Sequence, residues 1–172
     1  MNENPTNDRR LLGPGFPGDD GSVDPAVAAA LTAHRDGTRG YVDALSTLLD
    51  SRVLVPVVAT LGEVEYDADG LAHDKTSDMA TVLLTGADGR QALLAFTSTT
   101  GLHAWRADAR PVPVTFRDAA RAATHDGADA LVLDVAGPAT FVVEGADLRA
   151  AAAGYRLALV GDRSAWVSAD AG

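Results

Sequence analysis

The sequence predicts an α+β single domain: a mixed or antiparallel sheet built on a central hairpin and covered by short helices. Three observations carry that expectation. Two apolar segments, Met79 to Thr85 and Gln91 to Thr97, are joined by a turn containing Asp88-Gly89, and glycine supplies the positive φ that a short hairpin connection needs. A second strand pair, Ala130 to Val135 and Ala139 to Val143, turns at Gly137-Pro138. The stretches around these pairs carry helical periodicity, most of them opened by a capping residue.

Both arms of the first hairpin are apolar on both faces, with Val82 and Leu84 backed by Leu83, and Leu94 and Phe96 backed by Leu93 and Ala95. Such strands are expected to be central and covered, because a half-solvated hairpin alternates apolar with polar residues.

Length and composition set the limits. A chain of 172 residues with 47% hydrophobic content suits one domain with a proper core. There is no cysteine, which excludes disulfides, thiolate metal sites and a cysteine nucleophile and favours a reduced cytoplasmic setting. No apolar run approaches the roughly 20 residues of a membrane helix, and the amino terminus lacks the apolar core of a signal peptide. Arg9-Arg10 ahead of Leu11-Leu12 is not an export signal, since Gly13, Pro14, Gly15 and Pro17 break the run at once. The net charge of −10 repels phosphate backbones, and the basic residues form no stripe, so neither nucleic acid nor membrane is an expected partner.

Residues 1–23 are rich in Asn, Pro, Gly and Asp without periodicity and read as a disordered tail, because they cannot offset the entropy of ordering. The domain is expected over 24–154. Asp24-Pro25 gives an N-cap and a first-turn proline for a helix with Val27, Ala30, Leu31 and His34 on one face, ended by Gly37. A second helix carries Tyr41, Leu45, Leu48 and Leu49 on one stripe.

Val53 to Ala59 is a β-branched run interrupted by Pro56, and a proline cannot donate to a ladder, so this strand is expected at an edge or with a bulge. Arg110 to Val114, RPVPV, is a short extended segment lacking two ladder donors. Thr115 with Asp118 forms a capping pair for a helix ending near Gly127, with Phe116, Ala119, Ala120 and Ala123 as its apolar stripe. A last helix runs from Ala146 to Ala153 and ends at Gly154. Residues 155–172 hold one more alternating run, Tyr155 to Val160, and an isolated Trp166; they read as a strand or as a tail packed through its aromatics.

No motif marks a catalytic residue, a cofactor or a metal. Glu63, Glu65, Asp67 and Asp69 would share one face of an extended chain, but they lack the spacing of a calcium loop and read as a solvated acidic hairpin. The histidines His34, His73, His103 and His125 have no companion at metal or base spacing.

Two sets of residues carry the functional expectation. The loop Lys75, Thr76, Ser77 and Asp78, together with Ser98 and Thr99 where a strand gives way to a helix near Leu102, forms a candidate site for a small metabolite or anion. The same residues also serve as turn and helix-cap groups. Pro56, Trp105, Pro111 and Pro113 form a candidate interaction surface for another protein or a second copy of the chain.

VLVPVV at 53–58, DKTSDMA at 74–80, GRQALLAFTS at 89–98, ARPVPV at 109–114 and GADALVLDVAGP at 127–138 resemble the SseB amino-terminal domain family over roughly 27–154. They are most similar to the short forms of GC-rich Gram-positive bacteria. The resemblance implies a mixed α and β fold and carries over no agreed catalytic residues, and it leaves this chain without the separate carboxy-terminal domain of longer relatives. A non-catalytic interaction or regulatory module is the favoured expectation, with a ligand-binding sensor or small enzyme as the alternative.

Overall fold

The computed structural model describes residues 15–60, 65–66, 72–73, 78–160 and 163–168. Helices α1 (Pro25–Arg35) and α2 (Tyr41–Leu49) precede strand β1 (Arg52–Thr60). The short strands β2 (Glu65–Tyr66) and β3 (Ala72–His73) pair with each other, and β4 (Asp78–Thr81), β5 (Leu83–Thr85) and β6 (Gln91–Ala95) follow. Next come α3 (Thr99–Trp105), β7 (Arg110–Thr115), α4 (Phe116–His125), β8 (Ala130–Leu133), β9 (Phe141–Glu144) and α5 (Gly145–Ala152). A closing hairpin joins β10 (Arg156–Val160) to β11 (Arg163–Val167).

The helices start where local chemistry places them. Asp24 accepts hydrogen bonds from the backbone N–H groups of Ala26 and Val27, and Pro25 opens α1. Asp43 reaches back to the Gly40 N–H at the start of α2. Thr115 accepts from Asp118 N and donates its hydroxyl to the Asp118 carboxylate, and all four stripe residues of α4 are buried.

Besides the two-stranded pairs β2-β3 and β10-β11, two larger sheets result, ordered β4-β1-β7 and β5-β6-β8-β9. Every neighbour pair is antiparallel except β6 with β8, which run parallel. The sheets meet where Leu54 and Phe96 exchange both backbone hydrogen bonds at 2.8 Å.

That junction explains why β1 is a middle strand and not the edge its proline implies. In an antiparallel ladder alternate residues bond to opposite neighbours. Leu54 points toward Phe96, so Pro56 points to the same side. The residue it would meet there is Val82, the single position between β4 and β5, beyond the last β1–β4 pair at Val57 and Thr81. The missing donor therefore falls at a gap where no bond is made.

The same gap corrects the expected hairpin. The segment 79–85 is not one arm: it pairs with β1 up to Thr81, breaks at Val82, and pairs with β6 from Leu83 onward. Its turn is as read, with Gly89 at φ 81 and Gly86 N–H bonded to Arg90 O. Only the β6 arm is central and buried. β5 is an edge strand, and Leu84 is 42% exposed.

Opposite Leu54 and Pro56 on β7 stand Pro113 and Pro111. Since Leu54 and Pro56 direct their backbone away from β7, both prolines direct theirs to the outer edge. No inter-strand donor is lost.

The two faces of the sheets are covered unequally. One face packs Val53, Val55, Leu93, Ala95, Leu131, Leu133, Phe141 and Val143 against α1, α2, α4 and α5 in the main core. The other carries Leu54, Leu94 and Phe96 with Leu102 of α3 and Ala109, flanked by Val58, Trp105, Val132 and Val135. Among the described residues the seven-residue α3 is the one helix packed on that second face.

Tyr155 onward forms the β10–β11 hairpin, whose Leu157 and Trp166 pack on the main core. Trp166 Nε1 donates to Asp147 at 2.8 Å. At the other terminus, Asp19 to Val23, expected within a disordered tail, make specific contacts. Arg52 donates to Asp19 at 2.8 Å and to Ser22 O at 2.6 Å, and Gly21 O accepts from Thr99 N at 2.8 Å. Arg52→Ala is expected to release this segment and to cost about 1–3 kcal/mol, the range for hydrogen bonds to a charged group. Limited proteolysis with mass spectrometry checks it: cleavage between Asp19 and Val23 should accelerate in the variant, and equal protection in both proteins would refute the clamp.

Candidate functional site

Loops that follow parallel strands gather at one end of a sheet, a usual place for binding residues. Here the parallel strands β6 and β8 lead into Thr97-Ser98 and into Asp134. Thr97 and Asp134 are the two buried polar side chains among the described residues. The Asp134 carboxylate accepts from Thr97 N at 2.9 Å through one oxygen and from Thr97 Oγ1 at 2.7 Å through the other. Burial pushes the Asp134 carboxyl above the ordinary range, against the downward pull of the two Thr97 hydrogen bonds.

The backbone at Asp134 is held as firmly as its side chain. Its φ is 51°, the one positive value for a non-glycine among the described residues, a conformation Asp tolerates better than most residues. Gly137 N and Thr140 Oγ1 both donate to Asp134 O, at 2.8 and 3.2 Å. A Cβ at Gly137 would lie 3.1 Å from both Cβ and O of Asp134, so glycine permits this tight turn.

Arg52 extends the network outward. Its Nη1 donates to Thr97 O at 2.8 Å, while Nη2 holds Asp19 and Ser22 O. Asp19, Arg52, Thr97 and Asp134 thus form a chain of polar contacts running from the N-terminal segment to the end of β8.

Beside Asp134 opens a cleft of about 210 Å³. Its apolar lining is Val23, Ala28, Leu31, Pro138 and Ala139, and Thr32, Thr97, Ser98 and Gly101 line it as well. No group of three or more metal-ligating side chains occurs among the described residues. His34 is half-buried and packs edge-on against Phe141 at 5.2 Å.

The sequence-predicted residues separate clearly. Ser98 caps α3, its Oγ accepting from Gly101 N at 3.1 Å and its carbonyl from Leu102 N at 3.0 Å. Thr99 N is held by Gly21 O, and the Thr97 hydroxyl faces Asp134. These groups are thus engaged within the chain. Lys75, Thr76 and Ser77 lie outside the described residues, as do Glu63, Asp67 and Asp69. Asp78 is described by its place in β4 opposite Thr60, and Glu65 by its place opposite His73.

Pro56, Pro111, Pro113 and Trp105 do come to one face. Directly opposed residues share a face, which puts Pro113 with Leu54 and Pro111 with Pro56, and Trp105 packs on Phe96 at 5.6 Å. Pro56 itself is buried, whereas Pro113 is exposed. Asp134 and Arg52 were not singled out from sequence. A carboxylate ending the apolar run ALVL was the available signal for the first.

The model of the SseB protein N-terminal domain family matches residues 27–150, more than half of the chain. No curated protein and no solved structure matches it.

Proposed function

The chain belongs to the SseB protein N-terminal domain family, and from that premise we propose that it is a non-catalytic interaction module that docks another protein on the lightly covered face of its sheet. The unequal covering of the two faces carries this reading. Leu84 lies opposite Ala92, and Val142 lies opposite Val132, so both belong to the face on which α3 is the one helix packed among the described residues. They are 42% and 43% exposed. Fully burying one such side chain is worth about 1.5–3 kcal/mol, so a partner helix laid beside α3 has a favourable surface to cover. Pro113, exposed, and Trp105, half-buried, border the same face.

The occupant is a different protein presenting an apolar helix stripe, because a net charge of −10 on each copy opposes self-association. The lack of cysteine favours a cytoplasmic setting for the complex. No helix among the described residues is long and apolar enough to cross a membrane.

The test compares three variants in quantitative cross-linking and capture from a bacterial extract. Leu84→Glu with Val142→Glu should lose a captured protein that wild type retains. Val112→Glu is the control: Val112 is 39% exposed but lies opposite Val55, on the four-helix face, and it should retain the partner. An identical captured set in all three would sink the proposal. So would a wild-type homodimer in sedimentation that the double variant abolishes.

A further inference from the structure

The cleft beside Asp134 has a chemistry distinct from the docking face. One charged side chain lines it, the acceptor-only carboxylate of Asp134, and no Lys, Arg or His does. Arg52, which contacts Thr97 O, has its guanidinium engaged by Asp19, Ser22 O and Thr97 O. No ion pair to Asp134 occurs among the described residues.

Thr97 contributes one donor to each carboxylate oxygen, and each oxygen retains a further lone pair. Gly101 lies beside Oδ1. A Cβ there would stand 3.5 Å from that oxygen and 3.3 Å from Ser98 Oγ. Apart from the hydroxyl residues Thr32 and Ser98 the remaining lining is apolar or glycine, and about 210 Å³ is below the roughly 300–1,000 Å³ of pockets for drug-sized ligands.

We propose that this cleft is a binding site for a small primary amine, with the Asp134 carboxylate receiving the ammonium group and the Val23, Leu31 and Ala139 walls receiving the alkyl chain. The left-handed backbone at Asp134, fixed by Gly137 and Thr140, orients the carboxylate before the ligand arrives. An anion is disfavoured at the same place, since it would face a carboxylate with no cation beside it.

The test is titration of the full chain with n-propylammonium chloride, sodium propionate and 1-propanol, followed by amide NMR. Saturable shifts confined to Thr97, Gly101, Leu31 and Ala139 are expected with the amine, and none with propionate. Asp134→Asn keeps the shape, tolerates the backbone conformation and removes the charge. It should weaken amine binding about tenfold or more, the loss expected on deleting a charge-assisted hydrogen bond. Ala139→Leu fills the apolar wall without touching the carboxylate, and it should also abolish binding if the Asn variant does not fold. Shifts that never saturate, equal shifts with propionate, or undiminished amine binding in a folded Asp134→Asn protein would each overturn the assignment.

Discussion

Phe96→Ala is expected to lower stability by about 3–5 kcal/mol, the range for removing a buried aromatic side chain. Phe96 is fully buried, and its backbone forms the bridge to Leu54 at which the two sheets meet. Its ring touches Trp105 at 5.6 Å and lies in the smaller core with Leu94 and Leu102. Deleting the ring empties the centre of that core where few neighbours are free to collapse. Each kcal/mol corresponds to roughly 2–4 °C in a chain of this size, so a melting scan resolves the effect easily. A loss under about 1 kcal/mol would mean that the junction is held by backbone pairing alone.

The second large effect centres on Asp134. Asp134→Ala leaves the Thr97 N–H and hydroxyl buried without their acceptor, each worth about 1–3 kcal/mol, and a combined loss of roughly 2–6 kcal/mol is expected. Asp134→Asn is milder, since the amide oxygen still accepts from Thr97 N. The pair also differ from wild type in pH dependence. Because burial raises the folded-state pKa of Asp134, the native protein binds more protons than the unfolded chain between the two pKa values. The stability contribution of this group is therefore fully present below the unfolded pKa and is lost as pH rises through the folded one. Wild type should gain stability relative to Asp134→Asn as pH is lowered from neutrality toward 4. Denaturant midpoints at several pH values measure this, and a constant difference would refute it.

What the sequence disclosed depended on distance along the chain. The cap of α4 and its four buried stripe residues were legible in full, because Thr115 and Asp118 are three apart and the stripe repeats within one helix. Ser98 was legible as a cap for the same reason. The position of β1 was not: whether the missing donor of Pro56 matters depends on which neighbour it faces, and Phe96 and β4 decide that. Asp134 was missed because its partner Thr97 is 37 residues away. The clamp on the N-terminal segment likewise joins Arg52 to a residue 33 positions earlier. Composition alone gave that segment no reason to order.

The outward-facing prolines of β7 make this edge behave as a chain terminator in the polymer sense. A strand added beside β7 would need donors from Pro111 and Pro113, and neither has one. Growth of stacked copies by edge-to-edge pairing requires two reactive ends per monomer. With the β7 end capped, an accidental pairing elsewhere on the rim cannot propagate through this edge into a filament. The exposed Leu84 and Val142 thus lie on the four-stranded sheet, while the β7 edge of the three-stranded sheet is barred from fibril-like extension.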